Sequence, residues 1–308
     1  MYYFIINPKS SSGKGMKFWW IVKDELDKNH ISYSSSFTKY PGHATELAKE
    51  VCNSSEGIKN IIVLGGDGTL NEVINGIDNY KEVLLGYIPS GSSNDLARSL
   101  HIPKDPLKAL HNILNPKNFK YLDHGKITFL DMEKSPRKFC CSSGIGYDAN
   151  VCFEVQASTL KKKLNRFGAG KFVYFAIAIK QVLTIKRQDA TITLDGIKKK
   201  SYKKVLLVSP MIHPYEGGGL PMAPKADPCD GKLSVCLVHG MSRLRTMILL
   251  PTIMLGKHIL FRGVERFECE TIEIKFEKPA PVHTDGETPA ISSHIKASVI
   301  PEQIRMIL

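Results

Sequence analysis

The sequence has no pair of cysteines spaced as CxxC. Its seven cysteines are odd in number, and only Cys140 and Cys141 are adjacent. That excludes a disulfide framework and a zinc ribbon, and it points to a reducing, cytoplasmic setting. There is no uninterrupted apolar run of about 20 residues, the length a membrane-spanning helix needs. FVYFAIAIKQVLTI is broken by Lys180, and TMILLPTIMLGKHILF contains Pro251, Lys257 and His258. Membrane contact is therefore expected to be peripheral. The opening MYYFIINPK has no basic leader and too short an apolar stretch for a secretory signal. Internal repeats and low-complexity segments are absent. Acidic residues are scarce relative to basic ones, 30 against 42, for a net charge of +12. Such a balance suits an anionic partner: nucleic acid, an acidic membrane or a phosphorylated substrate. A merely solubilising surface has the same composition.

With 308 residues and 43% apolar residues, the chain has material for one or two domains with a sizeable core. The first third alternates between strand and helix patterns. YYFIIN, ISYSSSF, IIVLG and VLLGYIP read as strands. KGMKFWWIVKDELDKN, with Phe18, Ile21, Val22 and Leu26 at helical spacing, reads as a helix, as do GHATELAKEVC and the segments after IIVLG and VLLGYIP. This predicts βαβ units around a parallel sheet over residues 1–120. From Lys120 onward strands dominate, interrupted by helical stretches near 157–185 and 242–261. That predicts an antiparallel domain over 121–300, sandwich-like or barrel-like, with the boundary near NPKNFKY.

Three strand ends carry loops suited to phosphate. In IIVLGGDGTLNEV, Gly65, Gly66 and Gly68 permit a sharp turn and close ligand approach, and the following helix aims its free amides back at that turn. Asp67 among these glycines would repel phosphate unless a divalent cation or water mediates. A tight turn with Asp67 as a helix cap is the plainer reading. PSGSSNDLARSL places Asn94 and Asp95 before a helix, which by itself is an ordinary capping turn. NPKSSSGKG follows the first strand but is no P-loop, because Lys14 precedes Gly15 rather than Ser or Thr. Ligands of parallel α/β sheets bind beyond the carboxyl ends of the strands, where these loops converge. Downstream, Asp227 and Asp230 in APKADPCDGKL offer oxygen to a hard cation, and Asp285 and Glu287 in HTDGETP offer a general base. Turns alone account for both Asp-Gly pairs.

Taken in order, NPxSxxGKG, GGDGTLNEV, PSGSSND, GGGxxxAPxAxxxDG and the late DGE resemble the diacylglycerol and lipid kinase family, which includes the sphingosine kinases. The resemblance covers nearly the whole chain. It implies a Rossmann-like nucleotide domain followed by a β-rich domain, with the last residues, about 300–308, returning to the first. It implies ATP contacts from Asn7, Pro8, Lys9, Ser10, Ser11, Thr38, Gly66, Asp67, Gly68, Thr69, Leu70, Asn71, Glu72 and Ser92. It implies Mg²⁺ held by Asp227, Asp230 and the carbonyl of Lys232, with Asp67 and Asp95 in its water network. Glu287, or Asp285 beside it, would take the proton from the lipid hydroxyl, and Glu287 is preferred. Ser11 stands where many members have glycine, and Ser92 and Ser93 replace Thr and Gly. Asp148 in GIGYDANV is either an acceptor-headgroup contact or a helix cap.

The resemblance implies γ-phosphoryl transfer from ATP to a lipid hydroxyl, foremost diacylglycerol, by a cytoplasmic enzyme at the inner membrane face. A homodimer is a family expectation. The basic clusters 161–166 and 198–204 suit acidic headgroups or are solvated lysines. Trp19 and Trp20 offer an interfacial anchor, although one of the two is expected in the core. No nucleic-acid signature appears beyond charge. The rival readings are an NAD kinase and a non-catalytic nucleotide sensor. No stretch resembles the NAD kinases' GSTAY-type segment, and a mere binder has no use for Glu287.

Overall fold

The computed structural model describes residues 1–54, 57–157 and 170–308. The chain divides into two compact units. The first is Met1–His124 with Gly217–Gly219 and Pro301–Leu308, and the second is Gly125–Glu216 with Leu220–Ile300.

The first unit is a parallel sheet of β1 (Tyr2–Ile6), β2 (Tyr33–Phe37), β3 (Lys59–Gly65) and β4 (Val83–Pro89), in the order β2-β1-β3-β4. The C-terminal segment extends it: Met306 pairs parallel with Leu85 of β4. Helices α1 (Lys14–Lys28), α2 (His43–Asn53), α3 (Asp67–Gly76), α4 (Asp95–Ser99) and α5 (Pro106–Leu114) accompany the strands. Alternation along the strands sends Phe4, Ile6, Ile62 and Leu64 into one cluster with Trp19, Val22, Leu26, Leu110 and Ile113. Trp19 is in that core, as expected of one of the pair, while Trp20 is exposed. The inward face of α1 is Gly15, Trp19, Val22 and Leu26 rather than one including Ile21, which is 42% exposed. A count of apolar residues passes over Gly15, yet a Cβ there would lie 2.1 Å from the Asn7 carbonyl oxygen. Helix α5 begins on the Asp105 side chain, which accepts from the Lys108 amide at 2.9 Å, with Pro106 in its first turn.

The second unit is antiparallel. It is built from β5 (Phe119–Phe129, whose first residues belong to the first unit), β6 (Arg137–Phe139), β7 (Ser143–Gly146), β8 (Gln188–Leu194), β9 (Lys198–Met211), β10 (Leu233–His239), β11 (Val264–Cys269), β12 (Thr271–Thr284) and β13 (Glu287–Ile307). The order is β11-β10-β9-β7-β12-β13; β8 bonds to both β9 and β12, and β6 to β5. Along β10, Val235 and Leu237 enter an all-strand core. Cys236 and Val238 face the other way, into a cluster with α6 (Tyr147–Ala157), α7 (Gly170–Thr184) and α8 (Arg243–Ile253).

Of the helical stretch expected over 157–185, α7 accounts for 170–184, and α6 lies before it and begins at Tyr147; the residues between them lie outside the described set, as does the basic cluster 161–166. The start of α6 is disguised by Val151 and Phe153, which read as strand-forming. One sequence-based helix is corrected. Instead of one helix over 242–261, α8 ends at Ile253 and a short 3₁₀ turn, His258–Leu260, follows. Pro251 withholds an amide from the last turn, and Gly256 at φ +65° completes the stop. No helix among the described residues is long and apolar enough to cross a membrane.

Candidate active site

The loops after β1, β3 and β4 are bound to one another at the carboxyl end of the first unit's sheet. Asn7 donates from Nδ2 to Thr69 Oγ1 at 3.0 Å. The Ser10 and Ser90 hydroxyls are 2.6 Å apart, and those of Ser11 and Ser92 are 3.2 Å apart. The Ser90 amide donates to the Gly65 carbonyl at 2.7 Å. Gly66 and Gly91 pass so closely that a Cβ on Gly91 would lie 2.5 Å from Gly66 Cα. Thr38 closes the row, its amide bonded to the Ile6 carbonyl at 2.8 Å.

The first loop turns through consecutive left-handed residues, Ser11 at φ +43°, Ser12 at +60° and Gly13 at +100°. Ser11 thus holds the backbone shape that glycine prefers, and Lys9 follows an Asx turn, its amide donating to Asn7 Oδ1 at 3.0 Å. In the second loop Asp67 is the first residue of α3, after Gly66 at the N-cap. Its Oδ2 accepts from the Asp95 amide at 3.2 Å, so the side chain ties α3 to the third loop. Asp95 is buried, and its Oδ2 accepts from the Gly218 amide at 2.9 Å. Leu70 and Asn71 are buried on the inner side of α3. Glu72 anchors α2, accepting from the Ala44 amide at 3.1 Å. Asn94, itself at φ +53°, closes its loop through bonds to the Gly91 amide and carbonyl. Pro8 and Ser92 lie along the same loops, with Ser92 exposed, and Gly68 is the second residue of α3.

In the second unit Asp285 and Glu287 flank a tight turn between β12 and β13. Asp285 is left-handed at φ +47° and its carboxylate accepts three backbone amides, from Cys140 at 2.7 Å, Cys141 at 2.8 Å and Ser142 at 3.0 Å. Glu287 pairs with Arg137 Nη2 at 2.7 Å. Gln156, in the last turn of α6, clamps the same turn: it donates to the Gly286 carbonyl at 2.9 Å and accepts from Thr288 Oγ1 at 2.6 Å. Beneath it lies His283, fully buried, with Nε2 3.3 Å from both Asp148 Oδ2 and Glu216 Oε1. Burial alone depresses this imidazole's affinity for a proton, but the Glu216 and Asp148 carboxylates outweigh it and hold its pKa well above the ordinary histidine range. The Gly286 amide, 3.4 Å from Nδ1, is at the outer limit of a hydrogen bond and does not reverse that balance. Among the described residues these three are also the group whose ligand atoms lie close enough to hold a metal. Asp148 sits in the first turn of α6, and its carboxylate is committed to His283.

Asp227 and Asp230 lie on an exposed turn. Each closes a local Asx turn, Asp227 with the Cys229 amide at 3.0 Å and Asp230 with the Lys232 amide at 2.9 Å. The sequence reading passed over Arg137, Gln156, Glu216 and His283. Arg137 and Gln156 find their partners 130 to 150 positions away in the chain, Glu216 meets its partner at a buried histidine, and only HTDGE placed His283 near a motif already noticed.

A parallel α/β unit with phosphate-suited loops at its strand ends, followed by an antiparallel β-sandwich-like unit carrying a DGE turn, is the architecture of a lipid kinase. Residues 1–127 match the diacylglycerol kinase catalytic domain, and residues 142–308 match the YegS C-terminal NAD kinase beta sandwich-like domain. This chain belongs to the diacylglycerol kinase family and is an alcohol-acceptor phosphotransferase. It is 29% identical over 288 residues to YtlR of Bacillus subtilis, covering 93% of each chain. It is 28% identical over 284 residues to a diacylglycerol kinase of Staphylococcus carnosus, covering 92% of this chain and 87% of that one. A diacylglycerol kinase structure from Bacillus anthracis shares the fold with a TM-score of 0.68 at 20% identity, covering 99% of this chain and 95% of the other.

Proposed function

We propose that this protein transfers the γ-phosphoryl group of ATP to the free hydroxyl of diacylglycerol, forming phosphatidic acid. The observation that carries this reading is the bonded set of loops built on Asn7, Ser10, Ser11, Thr69, Ser90 and Ser92. Their hydroxyls and amides, with the N-terminus of α3, make a cradle for a triphosphate. Asp67 and Asp95 in the first unit, and Asp227, Asp230 and the Lys232 carbonyl in the second, are all-oxygen donor sets of the kind a hard cation takes. When bound, magnesium supplies charge neutralisation at the phosphates.

The two candidate bases differ in how they are held. Both oxygens of Asp285 are committed to backbone amides that cannot move away, which makes it the residue that shapes the turn. Glu287 is held by a side chain, Arg137, that can exchange for another partner. Glu287 therefore takes the proton from the acceptor hydroxyl as the oxygen attacks phosphorus, and Arg137 orients the carboxylate until the acceptor arrives.

The test is turnover of labelled ATP against a total lipid extract, purified diacylglycerol, phosphatidylglycerol, a sphingoid base, undecaprenol and NAD, with products identified by mass spectrometry. Labelled phosphatidic acid is expected. Phosphorylation of NAD without lipid would replace this reading with a soluble dinucleotide kinase, and ATP binding without any product would leave a nucleotide sensor.

A further inference from the structure

Helix α8 buries Thr246, Leu249 and Ile253, and the turn after it is pinned by His258, whose Nε2 lies 3.0 Å from the Met222 carbonyl. The outer side of this segment is apolar as well. Leu244 is 72% exposed, Ile248 54%, Leu255 71% and Leu260 79%. Positions 244 and 248 are four apart and so form a ridge along one helix face, and 255 and 260 continue the apolar surface in the turn. On an ordinary surface helix that face is charged.

The segment's own charges have one sign only. Arg243, Arg245, Lys257 and Arg262 are exposed on it, and no Asp or Glu occurs anywhere from Gly231 to Val264. Leucine and isoleucine between cationic side chains match the boundary of an anionic bilayer, where acyl chains take the apolar groups and headgroups take the cations. A second copy of this chain fits less well, because it carries the same net charge of +12 and would bring cations to a cationic segment. The same layer also holds the DGE turn: Leu249 and Ile253 of α8 share a core with Tyr147, Val151 and Val155 of α6, and α6 supplies Gln156 to that turn.

We propose that the exposed face of α8 and its following turn is the surface on which this protein seats itself on an anionic phospholipid bilayer. The proposal draws its purpose from the lipid-kinase reading but is tested without turnover. Full-length protein is sedimented, with no ATP present, with vesicles of phosphatidylcholine alone or mixed with phosphatidylglycerol. Strong binding is expected only to the mixed vesicles. The Leu244→Asp/Ile248→Asp pair weakens it about tenfold or more. The Arg243→Glu/Arg245→Glu pair weakens it about tenfold or more and lessens its salt dependence. Both pairs keep the wild-type melting temperature and turnover of a dispersed short-chain diacylglycerol. Wild-type sedimentation of both pairs overturns the proposal. So does a wild-type dimer, seen by light scattering, that Leu244→Asp/Ile248→Asp dissociates without altering vesicle binding, since the face then belongs to a second copy. Vesicle binding with no phosphorylation of any lipid supports the docking surface and sinks the acceptor assignment instead.

Discussion

Asp285 and Glu287 are two residues apart and have opposite environments, so their substitutions separate. Asp285→Asn removes a charged acceptor from three amides and is expected to destabilise the protein by about 2 to 3 kcal/mol, read from urea unfolding. Glu287→Gln is expected to leave stability within about 1 kcal/mol, because its pair with Arg137 is partly solvated. It should nonetheless abolish turnover while ATP binding, followed by calorimetry, is retained. His283 gives a pH signature. Its folded pKa is raised, so its contribution to stability is complete below the ordinary histidine range and is lost as pH climbs through the folded value. His283→Asn should cost about 3 kcal/mol near neutrality, by leaving the Asp148 and Glu216 carboxylates without their cation. The gap between the two proteins should narrow toward alkaline pH in parallel denaturation series. Neighbouring acids do not confuse the reading at moderate pH: burial, then the same two carboxylates, push the Cys236 thiol up to about 12, and burial with Asp148 raises the Tyr147 phenol too.

At the scale of elements, the strand-end loops act together because they are bonded to each other. Gly91→Ala tests this, since its new Cβ meets the Gly66 backbone and one of the two loops has to shift. Nucleotide affinity is expected to fall at least about tenfold, measured by calorimetry, with the melting temperature moving by only a few degrees. These loops were legible in the sequence because each carries its own signal: a strand, then small residues, then a helix start. The parallel strands were legible for the same reason, as continuous apolar runs such as IIVLG. Helix α6 was not, because Val151 and Phe153 have strand-like propensity, and the inward side that Tyr147, Val151 and Val155 pack into a cluster with β10 and α8 is a tertiary contact that overrides it. The inward face of α1 was half legible, since Gly15 contributes to it by lacking a side chain. The His283 triad was invisible because Asp148, Glu216 and His283 come from three distant stretches, and no local rule links them.

For the whole molecule, the expected response to ligand is a rise in melting temperature with ATP and magnesium together. Chelation with EDTA should reverse most of it, because free ligand stabilises the folded state in proportion to its occupancy. The basic cluster at 198–204 lies on β9 with its lysines exposed, and Lys200 is bound to Glu265 at 3.2 Å, so it is at least in part a structural strand edge. With α8 as the docking surface, Lys198 and Lys199 changed together to Glu are expected to leave most of the anionic-vesicle binding in place in the same sedimentation measurement.

The first unit takes its last strand from the far end of the chain. Ile304, Met306 and Ile307 are buried there, and Arg305 donates to the Val83 and Lys81 carbonyls of the preceding segment. During synthesis residues 301–308 must be made before β4 gains this neighbour, so the first unit waits, with an open strand edge, while residues 125–300 are made. Nascent chains stalled before residue 301 should be the form that chaperones retain and proteases clear, and the emergence of residues 301–308 should be the event that ends that exposure.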